Sequence, residues 1–256
     1  MIEVRKSNIG NNKPHFHTIQ NLAYNMYCLS NKDKKIFFRY VELAKEVNRR
    51  LRSFQCENSD LKRVSNTIQN SLKSYSKLAE NEGASIKHFI GNIEKSYNNI
   101  LATLNKLNVE DISNVRGLLT ECVCLSFLGE VKHPNNNTLV WDCCFFENNI
   151  KITSPNKEKP EYPITSTDIY NETKNDIELY ECKTRPDYIN ESQVEFLRLI
   201  RSKYKENQKT SQLYVFILED GSHPSLNSLY QDIDNYIPNF STDIKLVTIN
   251  VLKNAI

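Results

Sequence analysis

Three charged side chains lie at the two ends of one short segment in the second half of the chain. Asp168 stands at one end, and Glu181 and Lys183 stand at the other. The segment has the pattern of two strands joined by a polar turn around Lys174 and Asn175. A tight two-residue turn there would set Asp168 opposite Glu181, and the two-residue period of a strand returns Lys183 to the same face. The sequence therefore predicts two carboxylates and an ammonium on one small surface.

This set of groups suits the hydrolysis of a phosphodiester. Carboxylate oxygens are the ligands that Mg²⁺ prefers, and a cation can position or activate water and offset charge that builds on phosphorus. A solvated hairpin face with mixed charges would show the same pattern, so both interpretations stay open at this point.

The helix that precedes the hairpin carries one carboxylate among apolar residues. Between residues 117 and 129 the only charged residue is Glu121, with Leu118 and Leu125 on its own face. Apolar residues cover most of the circumference, so we expect this helix to be buried. A buried carboxylate needs a metal, a lysine or a hydrogen-bonding partner. The alternative is a glutamate at a helix edge that is paired with a lysine.

Together these residues resemble a known enzyme family. The order Arg116-Gly117-x-x-x-Glu121 on a helix, then Asp168, then Glu181-x-Lys183 on a strand is similar to the PD-(D/E)xK nuclease superfamily. The resemblance covers about residues 110–220 and implies a restriction-endonuclease-like αβββαβ core. The chain departs from the family at Thr167, where the motif has proline.

The resemblance also implies a role for each residue. Asp168 and Glu181 would bind Mg²⁺, or Mn²⁺ in its place, together with the backbone carbonyl of Cys182. Lys183 would orient or activate water, and Glu121 would be an auxiliary metal or water ligand. The expected catalytic set is thus Glu121, Asp168, Glu181 and Lys183.

The two halves of the chain differ in charge and in texture. Of 33 basic and 31 acidic residues, 18 and 9 lie in residues 1–109, which leaves 15 and 22 in residues 110–256. The basic half has the periodicity of helices at 16–29, 33–54, 59–78 and 84–107. In the second half, the apolar pattern predicts helices at 111–128 and 191–206. It also predicts strands at 138–146, 149–152, 167–170, 177–184, 213–218 and 244–251. We therefore expect an α+β protein with a helical region at 1–109, for nucleic-acid binding or dimerisation, and a nuclease domain at 110–256.

Two groups of basic residues are candidates for binding a phosphate backbone. Both recur at steps of three and four, the spacing of one helix face. A solvated helix face would look the same. The first group lies on and just beyond the helix at 191–206 and the second on the helix at 33–54; they are Arg198, Arg201, Lys205 and Lys209, and Lys45, Arg49 and Arg52.

Several function classes are disfavoured. No apolar run approaches the ~20 residues that span a bilayer, and no apolar leader begins the sequence, so we expect a cytoplasmic protein. The seven cysteines include no C-x-x-C pair and are expected to be thiols. No phosphate-binding or dinucleotide-binding glycine motif is present.

The sequence thus predicts a Mg²⁺-dependent endonuclease that cuts double-stranded DNA, as a homodimer and in a restriction or anti-invader setting. Two alternatives stay open. One is an inactive nuclease-like module that binds nucleic acid or a partner, and the other is an RNase of the same fold.

Overall fold

The computed structural model describes residues 2–7, 13–57, 61–78, 81–129, 139–173, 176–219 and 225–255. The chain divides into two compact units. Residues 10–131 form the helical unit, and residues 1–9 together with 132–256 form the sheet unit. The architecture is α+β, as expected.

The described residues of the helical unit form α1 (Phe16–Ser30), α2 (Lys34–Glu57), α3 (Leu61–Leu78), α4 (Ala84–Leu101) and α5 (Val109–Leu128). Each buries an apolar face; in α2, for example, Phe37, Val41 and Ala44 are fully buried at steps of three and four. Helix α5 begins with a capping box in which the Asn108 side chain accepts from the amide of Asp111. Burial of these periodic apolar faces holds the unit together, although a few polar residues such as Asn48 and Thr120 are buried with them.

In the part of the sheet unit that the structure describes, the strands are β1 (Ile2–Lys6), β2 (Leu139–Glu147), β3 (Ile150–Lys151), β4 (Ser166–Glu172), β5 (Ile177–Lys183), β6 (Ser211–Ile217) and β7 (Ile244–Thr248). Their order is β1-β2-β4-β5-β6-β7, and β3 pairs with β2. The pairs from β1 to β5 are antiparallel, whereas β5, β6 and β7 run parallel. The sheet therefore changes from antiparallel to parallel at β5.

Four helices belong to the same unit: α6 (Glu191–Glu206), α7 (Leu226–Asp234), α8 (Phe240–Asp243) and α9 (Ile249–Ala255). An apolar cluster joins α6, α7 and α8 to one face of the sheet, and it includes Leu197, Ile233, Phe240, Leu179 and Val215. Burial of this face fixes α6 on the sheet that carries the predicted site residues.

Three expectations about organisation require correction. Strand β1 was not predicted, and it pairs with β2 about 140 residues away, from Ile2↔Glu147 to Lys6↔Cys143. Helix α5 belongs to the helical unit, so the units divide at 131/132 rather than at 109/110. The last predicted strand ends at Thr248, and the chain continues as α9.

Candidate active site

The β4–β5 hairpin has the predicted register. Paired residues run from Glu172↔Ile177 to Ile169↔Tyr180, and the amide of Thr173 donates to the carbonyl of Asp176 at the turn. The same register carried one step further sets Asp168 opposite Glu181. The short connection between the strands accounts for this register, because loop length fixes which residues of a hairpin pair.

At the end of the hairpin away from the turn, hydrogen bonds from side chains to the backbone replace the backbone pairing of β4 with β5. The paired register stops at Ile169↔Tyr180. Beyond it, the Thr167 hydroxyl donates to the carbonyl of Tyr180 at 2.9 Å, and the amide of Cys182 donates to Asp168 Oδ2 at 2.6 Å. We call this place the strand fork. It holds the Asp168 carboxylate against the backbone of β5.

Lys183 and Glu181 form a mostly buried ion pair beside the strand fork. Lys183 Nζ donates to Glu181 Oε1 at 2.6 Å, and the two side chains are 14% and 5% exposed. Burial by itself would lower the pKa of Lys183, but the carboxylates of Glu181 and Asp168 outweigh it and raise the pKa above its usual value. The ammonium is therefore charged at neutral pH and lies in the field of both carboxylates.

The donor set fits a hard cation that keeps much of its hydration. Across the part of the chain that the structure describes, no three or more His, Cys, Asp or Glu side chains are grouped to hold a metal ion. Mg²⁺ commonly uses one or two protein carboxylates plus water and substrate phosphate. A carboxylate has about four lone-pair sites, so a hydrogen bond to one oxygen still leaves it able to bind a cation. Asp168 and Glu181 therefore suit Mg²⁺ and not a closed structural zinc site.

The helix glutamate is buried, as its apolar surroundings predicted. Glu121 lies on α5 and is 5% exposed. The pKa of the neighbouring Cys122 thiol is raised mainly by burial, and the charge of Glu121 raises it further. Arg116 of the same motif is also buried; its Nε donates to Asn48 Oδ1 at 3.0 Å, and Asn48 Nδ2 donates to the carbonyl of Arg116. Both residues belong to the helical unit, whereas Asp168 belongs to the sheet unit. An auxiliary role for Glu121 therefore stays a prediction.

The basic stripe on α6 is tied into the sheet unit by ion pairs. Arg198 contacts Glu195 at 2.6 Å and Asp243 at 3.0 Å, and Arg201 contacts Asp243 at 2.7 Å. Arg198 Nη2 also donates to the carbonyl of Pro238. These two arginines hold α6 to the segment around α8, which favours a structural role, and their predicted contact with phosphate stays a prediction.

The remaining predicted cations are more accessible. Lys205 and Lys209 are exposed, the latter 3.4 Å from Glu172. On α2, Arg49 is exposed and contacts Glu46 at 2.8 Å, while Lys45 and Arg52 are half-buried. Exposed ion pairs of this kind contribute little and exchange readily, so Arg49 can still meet a phosphate.

Thr167 is the residue whose contribution was missed. It is buried, and its hydroxyl supplies the bond to Tyr180 that holds the strand fork. The available signal was a hydroxyl residue directly before Asp168 in a strand, at the place where the resemblance called for proline.

Comparisons with protein families and with curated proteins gave no match. No protein-family model matches this sequence, and no curated protein matches it significantly. Among the described helices, none combines the length and the apolar character needed to span a bilayer.

Proposed function

We propose that this protein is a metal-dependent endonuclease that hydrolyses phosphodiester bonds of double-stranded DNA. The observation that carries the proposal is the strand fork, where Asp168, Glu181 and Lys183 come together on neighbouring strands. Two carboxylates and a charged amine in a partly buried place form a set that phosphodiester hydrolysis uses.

Each residue has a definite task in this proposal. Asp168 and Glu181 would hold Mg²⁺, and the carbonyl of Cys182 would be a further ligand. When bound, the ion supplies charge stabilisation and a more acidic water. Lys183 has three N–H donors and gives one to Glu181, so two remain to orient a water or a phosphate oxygen. The amide of Cys182 keeps the Asp168 carboxylate in place before substrate arrives.

The order of elements supports the same proposal. Helix α5 is followed by the antiparallel strands β2, β4 and β5, then by α6 and the parallel strand β6. This order along the chain supports the proposal, with β3 as a short addition, although α5 belongs to the helical unit and the strands to the sheet unit. The site also lies at the carboxyl end of β5, where its parallel pairing with β6 ends at Lys183↔Ile217. Ligands of open sheets commonly bind at the carboxyl ends of parallel strands.

The substrate and the setting are further parts of the proposal. The surplus of positive charge in residues 1–109 suits a polyanion, with Lys45, Arg49 and Arg52 as candidate contacts. A homodimer would supply two active sites for the two strands of a duplex. A restriction or anti-invader role suits a nuclease of this size.

One observation favours a second candidate function. Both carboxylates already accept a hydrogen bond from within the chain. Asp168 accepts from the amide of Cys182, and Glu181 accepts from the ammonium of Lys183. A trio whose members already pair within the chain is also compatible with an inactive nuclease-like scaffold, with the helical unit as the binding surface.

Cleavage assays with a matched variant separate these candidates. Supercoiled plasmid and structured RNA are incubated with the protein in Mg²⁺, Mn²⁺ or EDTA. We expect plasmid cleavage that needs the metal and is lost in Glu181→Gln and Lys183→Met, with DNA binding retained. Glu178→Gln is the control, because Glu178 lies on the same strand but bonds to Asn171. Cleavage of RNA alone would identify an RNase, and no metal-dependent cleavage of either polymer would favour the scaffold.

A further inference from the structure

A polar cleft lies between α1 and α4, wholly within the helical unit. Its volume is about 400 Å³, within the roughly 300–1,000 Å³ of small-molecule sites. Its lining includes Asn21, Tyr24 and Asn25 from α1, and Phe89, Asn92, Lys95 and Asn99 from α4. These positions form one face of each helix, so the cleft is built by two regular elements.

The cleft combines amide groups with positive charge and has no carboxylate in its lining. Asn92 Nδ2 donates to Asn25 Oδ1 at 3.1 Å and lies 3.2 Å from His88 Nε2, so part of the wall is already ordered. The side-chain amides of Asn21 and Asn99 make no hydrogen bond to any other residue that the structure describes. Such amides have donors and acceptors to offer to a polar ligand.

The asparagines that line the cleft lower the intrinsic stability of the two helices, which suggests a role for them besides helix packing. Asparagine is a poor residue for a helix interior, at roughly 0.5 kcal/mol or more each relative to alanine. Four asparagines line two facing helices, while the deeper positions Leu22 and Ile93 are fully apolar and buried. The core beneath the cleft is therefore apolar, and the Asn92–Asn25 hydrogen bond joins the two helices above it.

Aromatic rings complete the set. Tyr24 is 42% exposed and Phe89 is half-buried, one on each helix that lines the cleft. Exposed aromatic faces stack on bases, asparagine amides match the hydrogen-bonding edge of adenine, and a lysine attracts phosphate. The rings, the amides and the lysine together match a nucleotide. A sugar would not need the cation, and a simple anion would not need the aromatic rings.

We infer that the α1–α4 cleft binds a nucleoside monophosphate unit, either free or within a single strand of nucleic acid. The base lies against Tyr24 and Phe89 with its polar edge toward the asparagines, and the phosphate lies at Lys95. This site is separate from the strand fork, and the inference does not depend on the proposed nuclease activity.

Calorimetry with the full chain tests the inference. The probes are AMP, adenosine, inorganic phosphate and a five-nucleotide single strand of deoxyadenylate. We expect AMP to bind about tenfold more tightly than adenosine or phosphate alone. Tyr24→Leu should weaken AMP by about tenfold, and Lys95→Met should abolish the difference between AMP and adenosine. Lys87→Met is the control, since Lys87 is exposed on the same helix but does not line the cleft.

The single-strand probe identifies the source of the nucleotide. Binding of AMP that Tyr24→Leu weakens supports a free nucleotide, whereas tighter binding of the single strand with the same sensitivity supports a strand. The absence of binding by any nucleotide probe at millimolar concentration would overturn the inference. An equal loss of AMP affinity in Lys87→Met and Lys95→Met would overturn it too, because the loss would then come from the net charge of the protein and not from the cleft.

Discussion

Replacement of Lys183 by methionine gives the most direct measure of the strand fork. Methionine is about as long as lysine but uncharged, so Lys183→Met leaves the Glu181 carboxylate, 5% exposed, without its ammonium. Removal of one partner of a buried ion pair costs about 3–5 kcal/mol. Because the lysine side chain is 14% exposed and water reaches it, we expect the lower end, about 3 kcal/mol.

The double variant Glu181→Gln with Lys183→Met separates the ion pair from general damage to the fold. An uncharged pair of similar size removes the buried charge, so its stability should lie within about 1 kcal/mol of the wild type. The measurement is urea unfolding in EDTA for the wild type, both single variants and the double variant. Glu178→Gln on the same strand is the control and should change the midpoint little.

Two results would refute this reasoning. One is an unchanged midpoint in Lys183→Met, and the other is a double variant whose loss equals the two single losses added together. Added Mg²⁺ gives a second check. A cation bound by the carboxylates should stabilise Lys183→Met more than the wild type, because it replaces the missing positive charge.

Three other predictions concern single residues. Thr167→Val loses the hydroxyl bond to the carbonyl of Tyr180, so its free energy of unfolding should fall by about 1–2 kcal/mol in urea titrations. Burial lowers the pKa of His15, whose ring contacts Thr103. The unfolded chain therefore binds the proton more readily, and stability should fall as the pH drops below about 6.5; His15→Asn, which tolerates the φ of 62° at this position, should lessen that fall. Arg201→Ala should cost about 1 kcal/mol of stability and leave the salt dependence of DNA binding unchanged.

Each of these has a control or a contrary outcome. A Thr167→Ser variant keeps the hydroxyl and should retain more stability than Thr167→Val. His17→Asn, at an exposed position nearby, is the control, and an equal loss of the pH dependence in both variants would contradict the role of His15. For the arginine, a clear drop in the salt slope of Arg201→Ala, but none in Arg49→Ala, would show that the α6 surface meets the phosphates after all.

Local patterns in the sequence predicted much of the secondary structure and one part of the site. The helix at 191–206 has the predicted bounds, since an asparagine cap before it and apolar residues at three- and four-residue steps define it without distant partners. The register of the β4–β5 hairpin is equally local, because a short turn and two-residue alternation fix which residues face each other. Burial of Glu121 followed from the apolar circumference of its own helix.

Only the tertiary structure decided which distant partners these elements meet. The pairing of β1 with β2, the place of α5 in the helical unit and the ion pairs of Arg198 and Arg201 with Asp243 all join residues at least 40 positions apart. The sequence marked the two arginines as a free basic stripe, since helical spacing shows which residues share a face but not which carboxylate the fold brings to them. Periodicity fixes the direction of a side chain, whereas its neighbours depend on how whole elements pack to bury their apolar faces.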